Sequence, residues 1–326
     1  MTPLASIITP ALNAEKTIAR SLQSALKQSY DRLLIVVIDA SPNDLTEKVV
    51  RSIGDGRIRY LRQDPDTRGQ AAARNQGIRT FASDLVTFLD ADDYYEPTKV
   101  ATQVQFLLDH PHHGAVYCDV LYHHADTPNL LLEGRWPTPA GRIEPVLFES
   151  NVININTLML RRSFFQEGVA FDEKKIWWPE DWQFCLRLAS RGCLFGHAAA
   201  KLVHVELRET SNAPFDQMHV VKKNTLDMLA DAVSKTTDPL CAEAGTRAVA
   251  KLRRSHWLAC LMAGRIDLAR QAAPLALPYG ARGAAMSVCS LIPRAWLRKA
   301  LVAVWKAGRR RHYKAVSAVC GLPADC

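Results

Sequence analysis

At residues 85–93 the chain reads LVTFLDADD, a short apolar run followed at once by a group of carboxylates. An apolar run of this length, bounded by turn-forming residues, predicts a buried strand over Leu85–Leu89. Uncompensated charge at the end of a buried strand is costly. Because strand side chains alternate between faces, we expect Asp90 and Asp92 to point the same way and Asp93 to point away.

Two carboxylates directed at one point suit a hard divalent cation. Mg²⁺ typically takes one or two carboxylates and completes its shell with phosphate oxygens and water. The run therefore predicts a metal–diphosphate site at Asp90 and Asp92. The alternative is an acidic loop that caps the next helix near Pro97, since acids and proline both favour helix N-termini.

The 326 residues are sufficient for one large α/β domain with an appendage. The chain carries a net charge of +8, with the excess concentrated toward the C-terminus. We expect no signal peptide, because the first residues lack a basic region and a long apolar region. No apolar stretch is long enough to span a bilayer. The eight cysteines have no metal-binding spacing and are expected to be reduced thiols of a cytoplasmic protein.

Strand and helix signals alternate through the first hundred residues. The predicted strands are Ala5–Thr9, Leu33–Ile38, Ile58–Arg62 and Leu85–Leu89, and the predicted helices are Ala14–Gln28, Asp44–Ser52, Gln70–Thr80 and Pro97–His110. This alternation predicts an α/β fold with a parallel sheet. The strands end in Thr9, Asp39 and Asp90, and ligands of open parallel sheets bind at the carboxyl ends of strands. No glycine-rich dinucleotide or P-loop motif follows any strand.

The second half of the chain has weaker signals. We predict a strand at Ala115–Leu121, loops over 123–145, a helix from about Glu180 and a last strand at Val203–Val205. From about residue 215 the pattern is helical and basic, and a break at 212–216 predicts a boundary.

Four further residues or groups of residues have both a functional and a structural interpretation. Asp39 could accept hydrogen bonds from a base or ribose, or begin an Asx turn. Arg74 could approach a phosphate, or be a solvated surface cation. Trp177–Trp182 surrounds two acids with aromatic bulk, which would raise a carboxyl pKa and suit a general base, or it is an ordinary helix N-terminus. His204 could approach a metal, or be a packed histidine.

The order and spacing of these segments resemble the inverting family 2 glycosyltransferases of GT-A fold. The resemblance is carried by Thr9…Asn13, Asp39…Ser41, Gly69…Asn75, Phe88–Asp93 and Glu180…Arg187. It implies a GT-A type, Rossmann-like, mostly parallel sheet flanked by helices, with a C-terminal helical extension. It also implies a catalytic domain over 1–213, with a nucleotide-binding half at 1–100 and an acceptor half at 101–213, and a basic helical extension over 214–326.

The resemblance also implies roles for single residues. Asp181 matches the catalytic base. Asp90 and Asp92 match the element that holds Mg²⁺ or Mn²⁺, with Asp92 as the direct ligand. The residues that match the nucleotide-sugar site are Thr9, Pro10, Asn13, Asp39, Arg74, Asp90, Ala91 and Asp92. The acceptor-side residues are Glu180, Trp178 and Trp182. The reaction implied is a single in-line displacement on a nucleoside-diphosphate sugar, with UDP-sugars as the expected donor class. The attacking group is a hydroxyl of a cell-surface glycan or lipid-linked acceptor.

Two departures from the family pattern concern base recognition. Ile38 stands where the family commonly has a first acid, and the loop from Ser41 to Thr46 is one residue longer than usual. The Gln-x-x-Arg-Trp element of processive synthases is absent, which favours single sugar addition. Two alternatives are a sugar-nucleotide nucleotidyltransferase, which would need a glycine-rich loop after the first strand, and a catalytically silent transferase-like scaffold at the membrane.

Residues 293–311 have the pattern of an amphipathic helix with a basic face opposite Leu and Trp. Such a helix suits contact with an anionic membrane surface and predicts peripheral association with the inner membrane face. The alternative is a helix packed on the catalytic domain with a solvated basic face. No base-reading motif accompanies the charge, so nucleic acid is not an expected partner.

Overall fold

The computed structural model describes residues 2–124, 127–132, 137–173, 179–207, 217–263, 265, 267–269 and 271–272. The strands are β1 (Ala5–Ala11), β2 (Leu33–Asp39), β3 (Ile58–Arg62), β4 (Leu85–Phe88), β5 (Tyr94–Tyr95), β6 (Ala115–His124), β7 (Thr127–Leu132), β8 (Met159–Arg161) and β9 (Phe195–Leu207). The helices are α1 (Ile18–Leu26), α2 (Leu45–Ser52), α3 (Gly69–Thr80), α4 (Lys99–Asp109), α5 (Glu144–Glu149), α6 (Ser163–Gln166), α7 (Glu180–Ser190), α8 (Met218–Lys235) and α9 (Pro239–Met262).

The strands form one sheet in the order β3-β2-β1-β4-β8-β6-β9-β5, with β7 paired to β6. The β3-β2-β1-β4 half is parallel throughout. The other half is mixed, because β8 is antiparallel to β4 and β6 while β6 and β9 are parallel. The predicted fold class, a GT-A type α/β sheet flanked by helices, is confirmed.

The sheet is buried because its central strands are apolar along their whole length. Every residue of β1 is buried, as expected for a parallel strand covered by helices on both faces. Helix α1 buries Ile18, Leu22 and Ala25, which recur at helical spacing on one face. Helix α3 approaches closely at Gly77, where an added Cβ would lie 2.9 Å from a methyl carbon of Ile8.

Three sequence-based assignments were wrong. The last strand is not limited to Val203–Val205, because β9 pairs with β6 along a much longer register. The region 123–145, expected to be loops, contains β7 and the start of α5. Helix α1 begins at Ile18 rather than Ala14, since the backbone N–H of Ala14 donates to the Thr46 hydroxyl and the chain turns there before the helix.

Contacts divide the chain into two compact units, Met1–Glu209 and Thr210–Cys326. The second unit contains α8 and α9, and α9 is capped by the Asp238 carboxylate, which accepts from the next two available backbone N–H groups. The predicted boundary at 212–216 lies outside the described residues, so the division at 213/214 stays a prediction. Within the described ranges, no helix is long and apolar enough to cross a membrane.

Candidate active site

The acidic turn, Asp90–Asp93, lies at the carboxyl end of β4 in the centre of the sheet. The Asp93 N–H donates to the Asp90 carbonyl oxygen at 3.1 Å and closes the turn. Asp93 is buried, whereas Asp90 and Asp92 are partly exposed. The turn therefore leaves two carboxylates partly accessible and encloses the third. The strand-like alternation expected from the sequence does not describe this turn, because the carboxylates of Asp90 and Asp93 both accept from the Asn156 side-chain amide. The predicted strand Leu85–Leu89 ends one residue early, at Phe88.

Asp93 is fixed by donors from distant parts of the chain. Its two carboxylate oxygens accept from the Asn156 side-chain amide at 2.5 Å and the Glu206 N–H at 3.0 Å. Burial, followed by the charges of Asp90 and Asp92, raises the pKa of Asp93 well above its ordinary value. Asp93 thus anchors the turn. Asn156 holds the turn at two further points, because its side-chain oxygen accepts from the Asp90 N–H at 3.0 Å and its amide nitrogen donates to the Asp90 carboxylate at 3.3 Å.

Arg74 connects the acidic turn to helix α7. Its guanidinium is buried and donates to Asp90 Oδ1 at 2.9 Å and to Glu180 Oε1 at 3.3 Å. Burial lowers the pKa of Arg74, but the charges of Asp90 and Glu180 more than offset this, so the pKa is raised. The interpretation of Arg74 as a solvated surface cation was wrong. Its approach to the nucleotide stays a prediction, since both terminal nitrogens already contact carboxylates.

Asp181, the predicted base, lies in the first turn of α7. Its carboxylate accepts from the Trp182 N–H at 2.7 Å and from the Asn151 side-chain amide at 3.1 Å. Burial raises the pKa of Asp181, although these hydrogen bonds and Arg74 act in the opposite direction. Neighbouring Glu180 also has a raised pKa, again because of burial, with Arg74 opposing. A raised pKa is what a carboxylate needs to accept a proton near neutral pH.

A cavity of about 410 Å³ opens beside Asp181. It is lined by β6, by residues 137–138 and by the segment Asn151–Asn154. This is within the size range of small-molecule sites. Trp182, predicted to contact the acceptor, is partly buried and its ring N–H donates to the Leu147 carbonyl at 2.6 Å. Trp178, the other predicted acceptor-side aromatic, lies outside the described residues.

The predicted nucleotide-binding residues at the ends of β1 and β2 are largely buried. Strand β1 continues to Ala11, so Thr9 and Pro10 lie within the strand rather than at its end. The Thr9 hydroxyl is buried and has no hydrogen-bond partner among the described residues. Asn13 follows with a positive φ of 50°, and its N–H donates to the Ser41 hydroxyl at 2.8 Å.

Asp39 is buried at the end of β2, and its carboxylate already has protein partners. Oδ1 accepts from the Ser41 N–H at 2.8 Å, which is the Asx-turn geometry that the sequence left open. Oδ2 accepts from the Tyr60 hydroxyl at 2.8 Å, with an Arg62 nitrogen 3.6 Å away. A contact with ribose or base would have to share this network, so the nucleotide role of Asp39 stays a prediction.

His204 is a packed side chain rather than a ligand directed at the acidic turn. It lies on β9, hydrogen bonded to Glu96 at 2.7 Å and to His123 at 2.6 Å. The Tyr94 ring stacks on it with centroids 4.3 Å apart. The Arg20 guanidinium also lies over the Tyr94 ring, 4.8 Å from its centroid, and donates to the Asp92 carbonyl at 2.7 Å. The cluster contacts the acidic turn through Arg20.

The donor set of the acidic turn fits Mg²⁺ or Mn²⁺. The Asp90 carboxylate accepts from Arg74 and Asn156, and both Asp90 and Asp92 are partly exposed. The assignment of Asp92 as the direct metal ligand stays a prediction. Across the part of the chain that the structure describes, no group of three or more His, Cys, Asp or Glu residues is arranged to hold a metal. A cation that takes one or two carboxylates and draws its other ligands from diphosphate and water is compatible with that set.

Several residues of this site carried no clear sequence signal. Arg20, Asn151 and Asn156 reach it from segments far from the acidic turn in sequence. The one available signal was the run of asparagines between residues 151 and 156, since buried amides require partners. Nothing local distinguished Arg20 from other helix-surface cations.

The chain is similar in sequence and in fold to known glycosyltransferases. A family model described as glycosyl transferase family 2 matches residues 6–168. An uncharacterized glycosyltransferase of Haemophilus influenzae is 29% identical over 65% of this chain and 84% of its own length. The Escherichia coli UDP-Glc:alpha-D-GlcNAc-diphosphoundecaprenol beta-1,3-glucosyltransferase WfaP is 36% identical over 32% of this chain, a match that spans 41% of that relative.

Two solved structures have the same fold at low sequence identity. Residues 1–349 of S. aureus TarS in complex with UDP-GlcNAc match with a TM-score of 0.63 and 15% identity, over 94% of this chain and 92% of that one. The mannosyltransferase PcManGT from Pyrobaculum calidifontis, in complex with GDP-Man and Mn²⁺, matches with a TM-score of 0.59 and 19% identity, over 93% and 86%. The chain is a glycosyltransferase and belongs to glycosyl transferase family 2.

Proposed function

We propose that this enzyme transfers a sugar, with inversion, from a UDP-sugar to a hydroxyl of a glycan or lipid-linked acceptor, with Asp181 as the base. The observation that carries the proposal is the position of Asp181. Its carboxylate opens onto a cavity, has a raised pKa, and lies beside Glu180, which Arg74 joins to Asp90 of the acidic turn. A base facing an acceptor-sized cavity next to a metal–diphosphate turn is the arrangement that a single displacement requires.

In this reaction the acceptor oxygen forms a bond to C1 of the donor sugar as the bond from C1 to the diphosphate oxygen breaks. The acceptor proton passes to the Asp181 carboxylate, which Asn151 orients by donating a hydrogen bond to its Oδ2. Mg²⁺ or Mn²⁺ bound at Asp92 would supply stabilisation of the charge on the departing diphosphate. Arg74 keeps Asp90 and Glu180 fixed while this charge develops.

The choice of donor and acceptor rests on the named relatives. WfaP takes a UDP-sugar and a diphosphoundecaprenol-linked acceptor, whereas PcManGT is in complex with GDP-Man and Mn²⁺. We therefore expect UDP binding that requires Mn²⁺ and that Asp92→Ala abolishes in calorimetric titrations. Preference for GDP would keep the transferase but change the donor class. No binding of either nucleotide would contradict the proposed donor site.

The chemistry is tested with UDP-glucose and a synthetic acceptor probe, α-D-GlcNAc-diphosphate carrying a short alkyl chain. Asp181→Asn should lower transfer by about 10²–10⁴-fold while UDP–Mn²⁺ affinity is unchanged. The wild-type rate should fall as the pH drops through a pKa above the ordinary aspartate value of about 3.9, because only the ionised carboxylate accepts a proton. NMR of the product should give a β-linkage; an α-linkage would refute inversion, and full activity in Asp181→Asn would refute the base.

We also propose that residues 293–311, which lie outside the described residues, contact an anionic membrane surface. The support is their basic amphipathic pattern together with a relative whose acceptor is lipid-linked. Flotation with anionic and with neutral vesicles tests this, using the full chain and a chain that lacks residues 290–326. Equal flotation of the two chains would contradict the proposal.

A further inference from the structure

Strands β6 and β9 pair with a broken register beside the cavity. Cys118 pairs with Ala198, but the next residue, Asp119, pairs with Lys201, and Val120 pairs with Val203. Strand β9 therefore carries extra residues on both sides of the Asp119 pair. Such bulges bend a strand and change the direction of its side chains, and they are common next to active sites. Here the irregularity falls on the part of β6 that lines the cavity.

The irregular register brings a histidine and a carboxylate together. The His197 Nε2 lies 2.8 Å from Asp119 Oδ1, and because a carboxylate only accepts, His197 is the donor. His197 is itself held, since its ring packs against Tyr117 with centroids 5.0 Å apart. The Tyr117 hydroxyl donates to the Pro139 carbonyl at 2.7 Å. The His197 side chain is 13% exposed and the Asp119 side chain is 34% exposed, so the histidine is mostly enclosed while the carboxylate is accessible to solvent.

Asp119 and the proposed base line the same cavity. Strand β6 contributes Tyr117 and Asp119, and α7 contributes Asp181. Lys201 of β9 also lines this cavity, so its wall carries charges of both signs. The two carboxylates can each accept from hydroxyl groups of a ligand, which favours a ligand rich in hydroxyl donors. The volume of about 410 Å³ lies within the size range of small-molecule sites.

We propose that Asp119, oriented by His197, binds hydroxyl groups of the acceptor sugar and selects the acceptor. The ligand class is an uncharged sugar ring, one of whose hydroxyls is directed at Asp181 while others donate to Asp119. His197 is a positioning residue that acts through Asp119. This inference rests on the proposed function, because it assigns the cavity beside the proposed base to the acceptor.

The test uses Asp119→Asn, His197→Phe and the double variant, with steady-state kinetics on UDP-glucose and the acceptor probe. Asp109→Asn is the matched control, because that exposed carboxylate also accepts from a side-chain nitrogen, that of Gln105, but lies on α4 away from the cavity. We expect the KM for the acceptor to rise about 10- to 100-fold in Asp119→Asn. The KM for the donor and the calorimetric affinity for UDP–Mn²⁺ should stay within about twofold, as should every constant of the control.

His197→Phe keeps an aromatic ring against Tyr117 but removes the donor. It should raise the acceptor KM, and the double variant should be no worse than Asp119→Asn alone, because the two residues act as one unit. An unchanged acceptor KM in Asp119→Asn would overturn the proposal. Equal increases in donor and acceptor KM would also overturn it, since they would indicate a general structural defect.

A second measurement separates this inference from the proposed function. Saturation-transfer NMR with a panel of methyl pyranosides, in the presence of UDP and Mn²⁺, reads sugar binding to the cavity without turnover. Binding that is lost in Asp119→Asn and kept in Asp109→Asn supports the inference even if the probe is not a substrate. If the wild type binds UDP–Mn²⁺ but no pyranoside, the acceptor inference is wrong and the proposed donor site stands. If it binds pyranosides but no nucleotide, the proposed donor site is wrong and the sugar-binding cavity stands.

Discussion

Replacing Arg74 by methionine tests whether the acidic turn and helix α7 depend on one buried cation. Methionine keeps much of the volume of the side chain but leaves Asp90 and Glu180 without their shared partner. The Arg74 side chain is 1% exposed, and the carboxylates are 2.9 and 3.3 Å away. Removing one member of a buried ion pair costs about 3–5 kcal/mol of stability, because the remaining charge is left uncompensated.

Arg79 supplies a matched control on the same helix. It also pairs with a carboxylate, Glu173, at 3.3 Å, but it is 61% exposed. An exposed pair contributes about 0.2–1 kcal/mol. Urea unfolding followed by circular dichroism should therefore separate Arg74→Met from Arg79→Met, and amide hydrogen exchange should locate the loss in α3 and α7. Equal losses in the two variants would refute the reasoning.

The pH dependence of this loss follows from Glu180. Burial raises its pKa and Arg74 opposes that effect, so removal of the arginine raises the pKa further. The folded variant then binds a proton that the unfolded chain does not bind, and its stability increases as the pH is lowered from neutrality. We expect the deficit of Arg74→Met to shrink between about pH 7 and pH 5. A constant deficit over that range would show that packing, not charge, is responsible.

Three further changes have defined outcomes. Burial lowers the pKa of Lys99 to about 7, so above that pH the unfolded chain binds more protons than the folded one. The free energy of unfolding of the wild type, relative to that of Lys99→Met, should therefore rise toward pH 10 by up to about 1.4 kcal/mol per pH unit. Urea titrations at several pH values measure this difference. Asn156→Leu removes the amide that holds the acidic turn and should weaken Mn²⁺-dependent UDP binding in calorimetry, and unchanged affinity would contradict this role. Gly77→Ala should lower the free energy of unfolding by about 1–3 kcal/mol through overpacking, whereas Gly56→Ala, with no atom within 4 Å of the added carbon, should not.

The first hundred residues could be interpreted from sequence because their signals are local. Apolar runs and helical periodicity located the elements from β1 to α4 within about four residues, except the two-residue strand β5, which was not predicted. The acidic turn was also identified from local sequence. A group of carboxylates directly after a predicted buried strand is costly unless a cation compensates the charge, so the group indicates a site. Helix α7 was located for a similar reason, from proline and acids at its first turn.

The contacts that could not be predicted depend on the order of the strands in the sheet. Arg74 and Glu180 are far apart in sequence, and only the packing of α7 near the end of β4 makes their contact possible. His123 begins the region 123–145 that was expected to be loops, yet it lies in β6 against His204 because β6 and β9 pair in parallel. A single sequence contains no measure of such pairings, which follow from long-range strand order rather than from local pattern.

The anchoring of Asp93 by the Glu206 N–H has a consequence for the biosynthesis of the enzyme. The acidic turn is translated early, but one of its fixed donors lies 113 residues later, on the last strand of the sheet. A chain still attached to the ribosome before β9 has emerged contains the turn without that donor. Since domains fold as the chain is made, strands β1 to β4 can assemble first. The carboxylates acquire their final arrangement only when β9 joins the sheet, so a nascent chain is an incomplete transferase until that late step.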